Sequence, residues 1–316
     1  MKDILQKLIE GQDLTRREAG AVFNGMFTAS IPAPMTAALL SALKVKGETE
    51  TELTTLVRLM REHSVKIKVS GDLLDTCGTG GKPIKTFNVS TCAAFVLAGC
   101  GVKVAKHGNR SFSGKCGSAD VLEALGIPVE VSHERVRKCI EENGFGFMFA
   151  PHHHPIMKNV VPIRRELGVR TIFNIAGPLT NPACTRYQVL GVPDRRLTVN
   201  IAGVLRNLKS KRALVVWGED VCDEITTTGK TTVSELSAGK IRTYTLTPRD
   251  FGLKRGEFAE LRGGTARQNA QTIMRVLKGG DPVKTDIVLA NAAAGLVVMG
   301  KAGSFKEGVR IARVCI

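Results

Sequence analysis

Between Asp75 and Gly126, two apolar segments each end in a turn crowded with glycine, hydroxyl and cationic residues, and each turn leads into a helix. After Leu73-Leu74 come Gly78-Thr79-Gly80-Gly81, whose missing side chains let the backbone turn tightly and present N–H groups as a concave donor set. Ser90 and Thr91 stand where the next helix starts, so their hydroxyls and the free N–H groups of its first turn face the same space. A second apolar strand, Val102 to Ala105, delivers Lys106-His107-Gly108-Asn109-Arg110. Ser111, Ser113, Gly114, Gly117 and Ser118 follow before a helix over Ala119 to Leu125. One glycine-rich turn mostly just turns the chain, but two in succession, one of them strongly cationic, predict a ligand carrying more than one phosphate.

The rest of the chain supplies a frame for these turns. Residues 1 to 66 read as four short helices: Thr15-Arg-Arg-Glu18 and Thr49-Glu-Thr-Glu52 are capping boxes ahead of apolar patterns, and Pro32 and Pro34 open a helix that ends at Gly47. From about Ser70 the pattern changes to strand, turn and helix in alternation. Strands are predicted near 73–75, 102–105, 127–131, 146–149, 171–175 and 213–217, with a hairpin over Thr231 to Thr247. The predicted fold is α/β: a small all-helical N-terminal domain over residues 1–66, and a large domain over residues 70–316 with a mostly parallel sheet flanked by helices. The apolar faces of the small helices need a partner surface, in the larger domain, in a second copy of the chain or in both, and a homodimer through this domain is the expectation.

A length of 316 residues fits about two domains. No apolar run approaches the ~20 residues needed to span a bilayer, and MKDILQKLIEGQ reads as an amphipathic helix, not as a signal peptide. A soluble, cytoplasmic protein without membrane association is expected. The eight cysteines form no Cys-x-x-Cys pair and no clustered spacing with histidine, which excludes a zinc finger or a dithiol redox motif. The net charge of +16 suits either nucleic acid or small polyanionic substrates, but it is spread along the chain with no polybasic arm, and most of it reads as solvated surface.

At the glycine-rich turns the chain resembles the anthranilate phosphoribosyltransferases. The resemblance rests on Gly78-Thr79-Gly80-Gly81, Asn88-Val89-Ser90-Thr91, Lys106-His107-Gly108-Asn109-Arg110 and Gly117-Ser118-Ala119-Asp120. It continues through His154-Pro155, Arg164 with Leu167-Gly168, the run from Arg170 to Pro182 and Asp223-Glu224. It implies transfer of phosphoribosyl from 5-phosphoribosyl 1-pyrophosphate to anthranilate, the second step of the tryptophan branch, in a homodimeric enzyme whose small domain also receives helices from about 152–168. One departure is at the end: the sequence stops at Arg313-Val-Cys-Ile316, where the family generally runs on for a further helix.

Carried over residue by residue, the resemblance assigns to phosphoribosyl pyrophosphate the residues Gly78, Thr79, Gly80, Gly81, Lys82, Thr86, Asn88, Val89, Ser90 and Thr91 from the first turn. From the second it assigns Lys106, His107, Gly108, Asn109, Arg110, Ser111, Phe112, Ser113, Gly114 and Ser118. Anthranilate would meet Gly78, His107, Asn109, His154 and Arg164, the arginine fork matching its carboxylate. Of His152-His153-His154 only the last is given a site role, because consecutive side chains cannot converge on one ion. Two Mg²⁺ ions are implied, with Ser90, Asp223 and Glu224 as protein ligands. No general base is assigned, since an aromatic amine already carries its lone pair. Lys82 departs from the family, which usually has an acid directly after Gly-Thr-Gly-Gly, so the handling of metal or pyrophosphate should differ here. Two alternatives remain at this level: a pyrimidine nucleoside phosphorylase of the same architecture, and a non-enzymatic relative that binds nucleic acid.

Overall fold

The structure, a computed structural model, describes residues 1–80, 86–111, 116–220 and 223–316. The predicted site residues Gly81, Lys82, Phe112, Ser113 and Gly114 lie outside the described residues. The chain forms two compact units, one of Met1–Lys66 with Pro151–Cys184 and the other of Ile67–Ala150 with Thr185–Ile316.

The helical unit begins with α1 (Lys2–Ile9), α2 (Arg16–Phe27), α3 (Ala33–Lys46) and α4 (Glu50–Glu62). Both expected capping boxes form: Thr15 Oγ1 accepts from Glu18 N, and Thr49 Oγ1 from Glu52 N. Glu52 does more than cap. Its fully buried carboxylate accepts from Leu14 N at 2.9 Å and Thr49 N at 2.8 Å and pairs with Lys46 at 3.2 Å, so one acid fixes the start of α4 against the turn before α2. The second segment of this unit runs past residue 168 to Cys184. It is anchored by paired main-chain and side-chain bonds: Val65 N donates to His153 O at 2.9 Å, while His153 Nδ1 meets Val65 O at 2.8 Å. Arg61 Nε donates to Leu179 O at 2.7 Å, and the rings of Phe27 and Phe173 meet edge to face at 6.1 Å.

The larger unit is built on a sheet of β1 (Leu74–Gly78), β2 (Val104–Gly108), β3 (Phe145–Phe149), β4 (Tyr187–Gly191), β5 (Arg212–Gly218), β6 (Thr231–Ser237) and β7 (Lys240–Leu246). Their order is β3-β2-β1-β4-β5-β6-β7; the first five are parallel, and β6 and β7 run antiparallel at the far edge. The remaining helices are α5 (Val89–Gly99), α6 (Ser118–Ala124), α7 (His133–Asn143), α8 (Ala150–His153), α9 (Val161–Leu167), α10 (Ile172–Ala176), α11 (Leu197–Asn207), α12 (Ala266–Leu277), α13 (Pro282–Val298) and α14 (Phe305–Val314). Of these, α9 and α10 belong to the helical unit, and α8 spans the point where the chain passes into it.

α13 is apolar on nearly every face and is buried on nearly every face, as such a helix must be. It packs on α5 and α14, and Gly295 makes room for Leu97 and Leu74. The core of this unit joins Leu74, Val104, Val189, Leu214 and Val233 from the strands to the inner faces of α5, α12 and α13. The β6–β7 hairpin forms as expected, with Ala238 and Gly239 at φ of 48° and 76° in the two-residue turn.

Two of the predicted strands do not form. Residues 127–131 are irregular; Pro128 has no N–H to give a ladder, and Val129 instead fills a small cluster with Ala119, Leu122, Phe147 and Phe149. Residues 171–175, rich in β-branched and aromatic types, contribute to α10, because the Asn174 side chain accepts from Thr171 N at 2.9 Å and starts a helix there. Conversely β4, the central neighbour of β1, was not predicted.

Candidate active site

The strand order turns back at β1 and β4: β1 leads to β2 on one side, and β4 leads to β5 on the other. Above the carboxyl ends of such a pair no crossover helix fills the crevice, which is where ligands of open α/β sheets bind. Gly78 ends β1 and Gly191, its partner in register, ends β4. Thr79 N reaches across to Gly191 O at 2.9 Å and closes the first turn over the crevice.

The segment carrying Asp223 lies directly on these two glycines. A Cβ on Gly78 would stand 2.5 Å from Asp223 Oδ2, and a Cβ on Gly191 would overlap the Asp223 carbonyl. Glycine at both strand ends is therefore a steric requirement of bringing that carboxylate down to the sheet. Gly80 N then donates to Asp223 Oδ2 at 3.0 Å. Asp223 and Glu224 are both buried, and they line a small cavity with Ser90, Thr76, Cys77 and Asn291. The three residues expected to hold metal thus share one cavity.

Asn291, from the middle of α13, fixes this segment. Its Oδ1 accepts from Ile225 N at 3.1 Å and its Nδ2 donates to Ile225 O at 2.9 Å, so both backbone groups of the residue after Glu224 are held by one amide. Sequence reading missed Asn291, although a lone amide inside the apolar run LANAAAG was a signal. Among the described residues no three His, Cys, Asp or Glu side chains converge on an ion. Two carboxylates and a hydroxyl do fit Mg²⁺, which keeps several waters and takes phosphate oxygens as its other ligands.

Lys106 enters from β2 and is almost wholly buried; its Nζ donates to Thr76 O and to Ser90 Oγ, the latter at 3.3 Å. Burial pulls this ammonium below its ordinary value, and Asp75, Cys77 and Glu224 oppose that pull. Thr76 Oγ1 in turn donates to Ser90 O at 3.1 Å. The cation therefore sits beneath the first turn of α5, beside the free N–H groups of a helix start. Thr91 Oγ1, one residue on, is buried with no hydrogen-bond partner among the described residues. A buried hydroxyl in that state is open to a further polar partner, a water or a bound ligand.

The second turn is folded by Asp120, whose Oδ2 accepts from Gly117 N at 2.6 Å and Ser111 N at 3.0 Å. Asn109 O accepts from Ala119 N at 3.3 Å and Ser118 Oγ at 3.4 Å, and Gly108 has no room for a Cβ against Ser118 Oγ. Asn88 couples the two turns. Its Nδ2 donates to Gly117 O at 3.2 Å, and its Oδ1 accepts from Asn269 Nδ2 at 2.9 Å. Thr86 forms an isolated bridge with Arg262 and leads into Val89 at the start of α5. Arg110 is committed to its own surroundings: it pairs with Glu123 at 2.6 Å and Glu130 at 2.9 Å and lies 4.7 Å over the Phe149 ring. His107 is buried, with its backbone N–H on Asp75 Oδ1 at 3.4 Å.

The helical unit holds the remaining predicted residues. Arg164, on α9, is half-buried, donates to Asn174 Oδ1 at 3.3 Å and lies 5.4 Å over the Phe173 ring. Burial, and next the nearby Arg170, lower its affinity for the proton. His154 is buried, with Nε2 3.4 Å from Thr180 Oγ1; burial and the neighbouring His153 bring its pKa down to about 4, so the ring is neutral near pH 7. The orienting residues Asn174 and Thr180 both fall in the run from Arg170 to Pro182.

A family model described as glycosyl transferase family, a/b domain, matches residues 70–316, and its companion, the helical bundle domain, matches residues 2–64. Anthranilate phosphoribosyltransferases from Rhodopseudomonas palustris (strain BisB5) and Symbiobacterium thermophilum are each 49% identical to the chain, over 98% and 99% of it and 92% of each relative. The solved anthranilate phosphoribosyltransferase of Thermus thermophilus superimposes with a TM-score of 0.91 at 43% identity, over 98% of this chain and 93% of that one. The Saccharomyces cerevisiae enzyme, solved in complex with PRPP and Mg, gives 0.87 at 27% identity over 99% and 92%. With its two family domains in order and its crevice built on Gly78, Gly191 and Asp223, the chain belongs to the anthranilate phosphoribosyltransferases of the glycosyl transferase family.

Proposed function

We propose that this protein transfers the phosphoribosyl group of 5-phosphoribosyl 1-pyrophosphate to the amine of anthranilate, giving N-(5-phosphoribosyl)anthranilate and pyrophosphate. The observation that carries this reading is the buried pair Asp223-Glu224, lining one cavity with Ser90 at the ends of β1 and β4. The relatives named above are anthranilate phosphoribosyltransferases, which supports this acceptor over phosphorolysis or nucleic-acid binding.

The first turn, with Gly78, Thr79, Gly80, Ser90 and Thr91, holds one end of the donor. Lys106, Asn109, Ser111 and Ser118 hold the other. Ser90, Asp223 and Glu224 would hold Mg²⁺, two ions in our reading, and the metal when bound neutralises charge on the pyrophosphate leaving group. Arg164 takes the anthranilate carboxylate, and His154, neutral near pH 7, borders the ring. The amine lone pair attacks ribose C1 with inversion as the C1–O bond breaks, its electron pair leaving on pyrophosphate; the excess proton on nitrogen then passes to solvent. Positioning and leaving-group stabilisation suffice, because the aromatic amine is neutral at pH 7.

We place the enzyme in the cytoplasm as a homodimer formed through its helical unit, where Ile9 and Val45 are exposed apolar side chains. Among the described residues no helix is long and apolar enough to cross a membrane. The test is the loss of anthranilate fluorescence on adding phosphoribosyl pyrophosphate and Mg²⁺. Turnover is expected; no consumption under any Mg²⁺ concentration refutes the reading.

A further inference from the structure

Cys100 caps the carboxyl end of α5, and Cys315 caps the carboxyl end of α14. Far apart in sequence, they bring their sulfur atoms to 2.7 Å. The covalent S–S bond measures ~2.05 Å, so closure asks only for a small shift of two side chains. The approach is built into the backbone. Gly99, the last residue of α5, has no side chain, and the Cβ and carbonyl of Cys315 lie 3.6 and 3.7 Å from where its Cβ would stand. α14 is itself seated on α13, where Gly308 lies 2.9 Å from Ala293 by the same measure.

Both cysteines are half-buried, unlike Cys77 and Cys92, which lie in the core. A small oxidant can therefore reach them. Lys301 Nζ stands 3.8 Å from the Cβ position of Gly101, the residue after Cys100, and its charge favours the Cys100 thiolate. Burial and the neighbouring thiol work the other way and push Cys100 up to about 12. Oxidation is accordingly slow while the Cys100 thiol is protonated and quickens once it is ionised.

We propose that Cys100 and Cys315 form a reversible disulfide that bolts α14 to α5, with a hydroperoxide as the oxidant class. The peroxide O–O bond breaks as one thiolate takes its terminal oxygen and becomes a sulfenic acid, while the other oxygen takes a proton from solvent and leaves as an alcohol, or as water when the oxidant is hydrogen peroxide. The second sulfur then displaces the sulfenic oxygen as water, and the S–S bond forms. A dithiol reductant restores both thiols by exchange. The bond closes a loop spanning 215 residues, which restricts the unfolded chain and stabilises the fold.

The test treats the full chain with hydrogen peroxide, quenches with iodoacetamide and maps peptides by mass spectrometry. The expected product is a peptide containing Cys100 joined to one containing Cys315, lost on adding dithiothreitol and absent from Cys100→Ser and Cys315→Ser. The oxidised wild type should melt about 5–10 °C above the reduced form, while both serine variants, whose circular dichroism checks their fold, show no such rise. The proposal is overturned if both residues remain fully alkylated after peroxide, if they appear only as separate sulfinic acids, or if Cys100 is recovered bonded to a different cysteine.

Discussion

Asn88 at the head of α5 donates its side-chain N–H to the carbonyl of Gly117 at the head of α6, at 3.2 Å. One amide thus sets the spacing between the starts of α5 and α6, the two helices whose leading turns we propose meet the donor's phosphates, with Asn269 of α12 holding its other end. Removing it leaves both turns standing but no longer registered. Asn88→Ala should raise the KM for phosphoribosyl pyrophosphate about 5- to 30-fold, from the ~1–2 kcal/mol of such bonds, with little change for anthranilate. Steady-state kinetics with each substrate varied in turn checks this.

Asn291 and the backbone of Ile225 make the corresponding prediction for the metal residues. Asn291→Ala strands two buried backbone groups and should destabilise the fold by about 2–4 kcal/mol. Asn291→Asp keeps the acceptor for Ile225 N and loses the donor to Ile225 O. It should fold and yet need several-fold more Mg²⁺, read both by the Mg²⁺ dependence of rate and by calorimetric titration of metal in the presence of phosphoribosyl pyrophosphate. An unchanged titration would mean that Asn291 serves packing alone.

His154 predicts a pH dependence of stability. Its folded pKa of about 4 lies below the ordinary value of 6.5, so the unfolded chain binds the proton more readily. Stability from this group is intact above pH 6.5 and declines as pH falls toward 4, by about 3 kcal/mol at most. Urea unfolding at pH 7 and pH 4.5 should differ less in His154→Gln than in the wild type.

Arg164 is held by Asn174 and lies over Phe173, and it is the residue we propose takes the anthranilate carboxylate. A charge-assisted bond is worth ~1.5–3 kcal/mol, so Arg164→Ala should weaken productive use of anthranilate about 10- to 150-fold. Lysine should rescue only part of the loss, since it lacks the planar fork. Asn174→Ala, which frees the guanidinium without removing it, should fall between the wild type and Arg164→Ala. If phosphoribosyl pyrophosphate use is impaired and anthranilate use spared, the substrate assignment of this arginine is reversed.

Local chemistry made much of this legible in the sequence. Thr15 with Glu18 and Thr49 with Glu52 announced their helices because a capping box satisfies two N–H groups within four residues. Gly239, between two strand-like runs, announced the hairpin because glycine takes the positive φ that a tight turn needs. Two elements were misread, one through an overlooked local cap and one through pairing with distant strands. Residues 171–175 have the composition of a strand and become part of a helix through Asn174, while β4 is short and becomes central only by pairing with β1 and β5. The site divides the same way. Glycines, hydroxyls and the acid pair were visible as motifs, but Asn291 and Asn269, which hold those motifs in place, come from helices that only the fold brings near.

In the function we propose, phosphoribosyl transfer depends on Asp223 and Glu224 at the crevice between β1 and β4. The direct measurement follows anthranilate fluorescence with phosphoribosyl pyrophosphate across a Mg²⁺ titration, for the wild type and for the double variant Asp223→Ala, Glu224→Ala, with circular dichroism to check the fold. The wild type should consume anthranilate in a Mg²⁺-dependent way, and the folded variant should lose at least about 100-fold, in keeping with removal of charge stabilisation at a leaving group. A folded variant that consumes anthranilate at the wild-type rate, with the same Mg²⁺ dependence, would contradict the proposed dependence on these two acids.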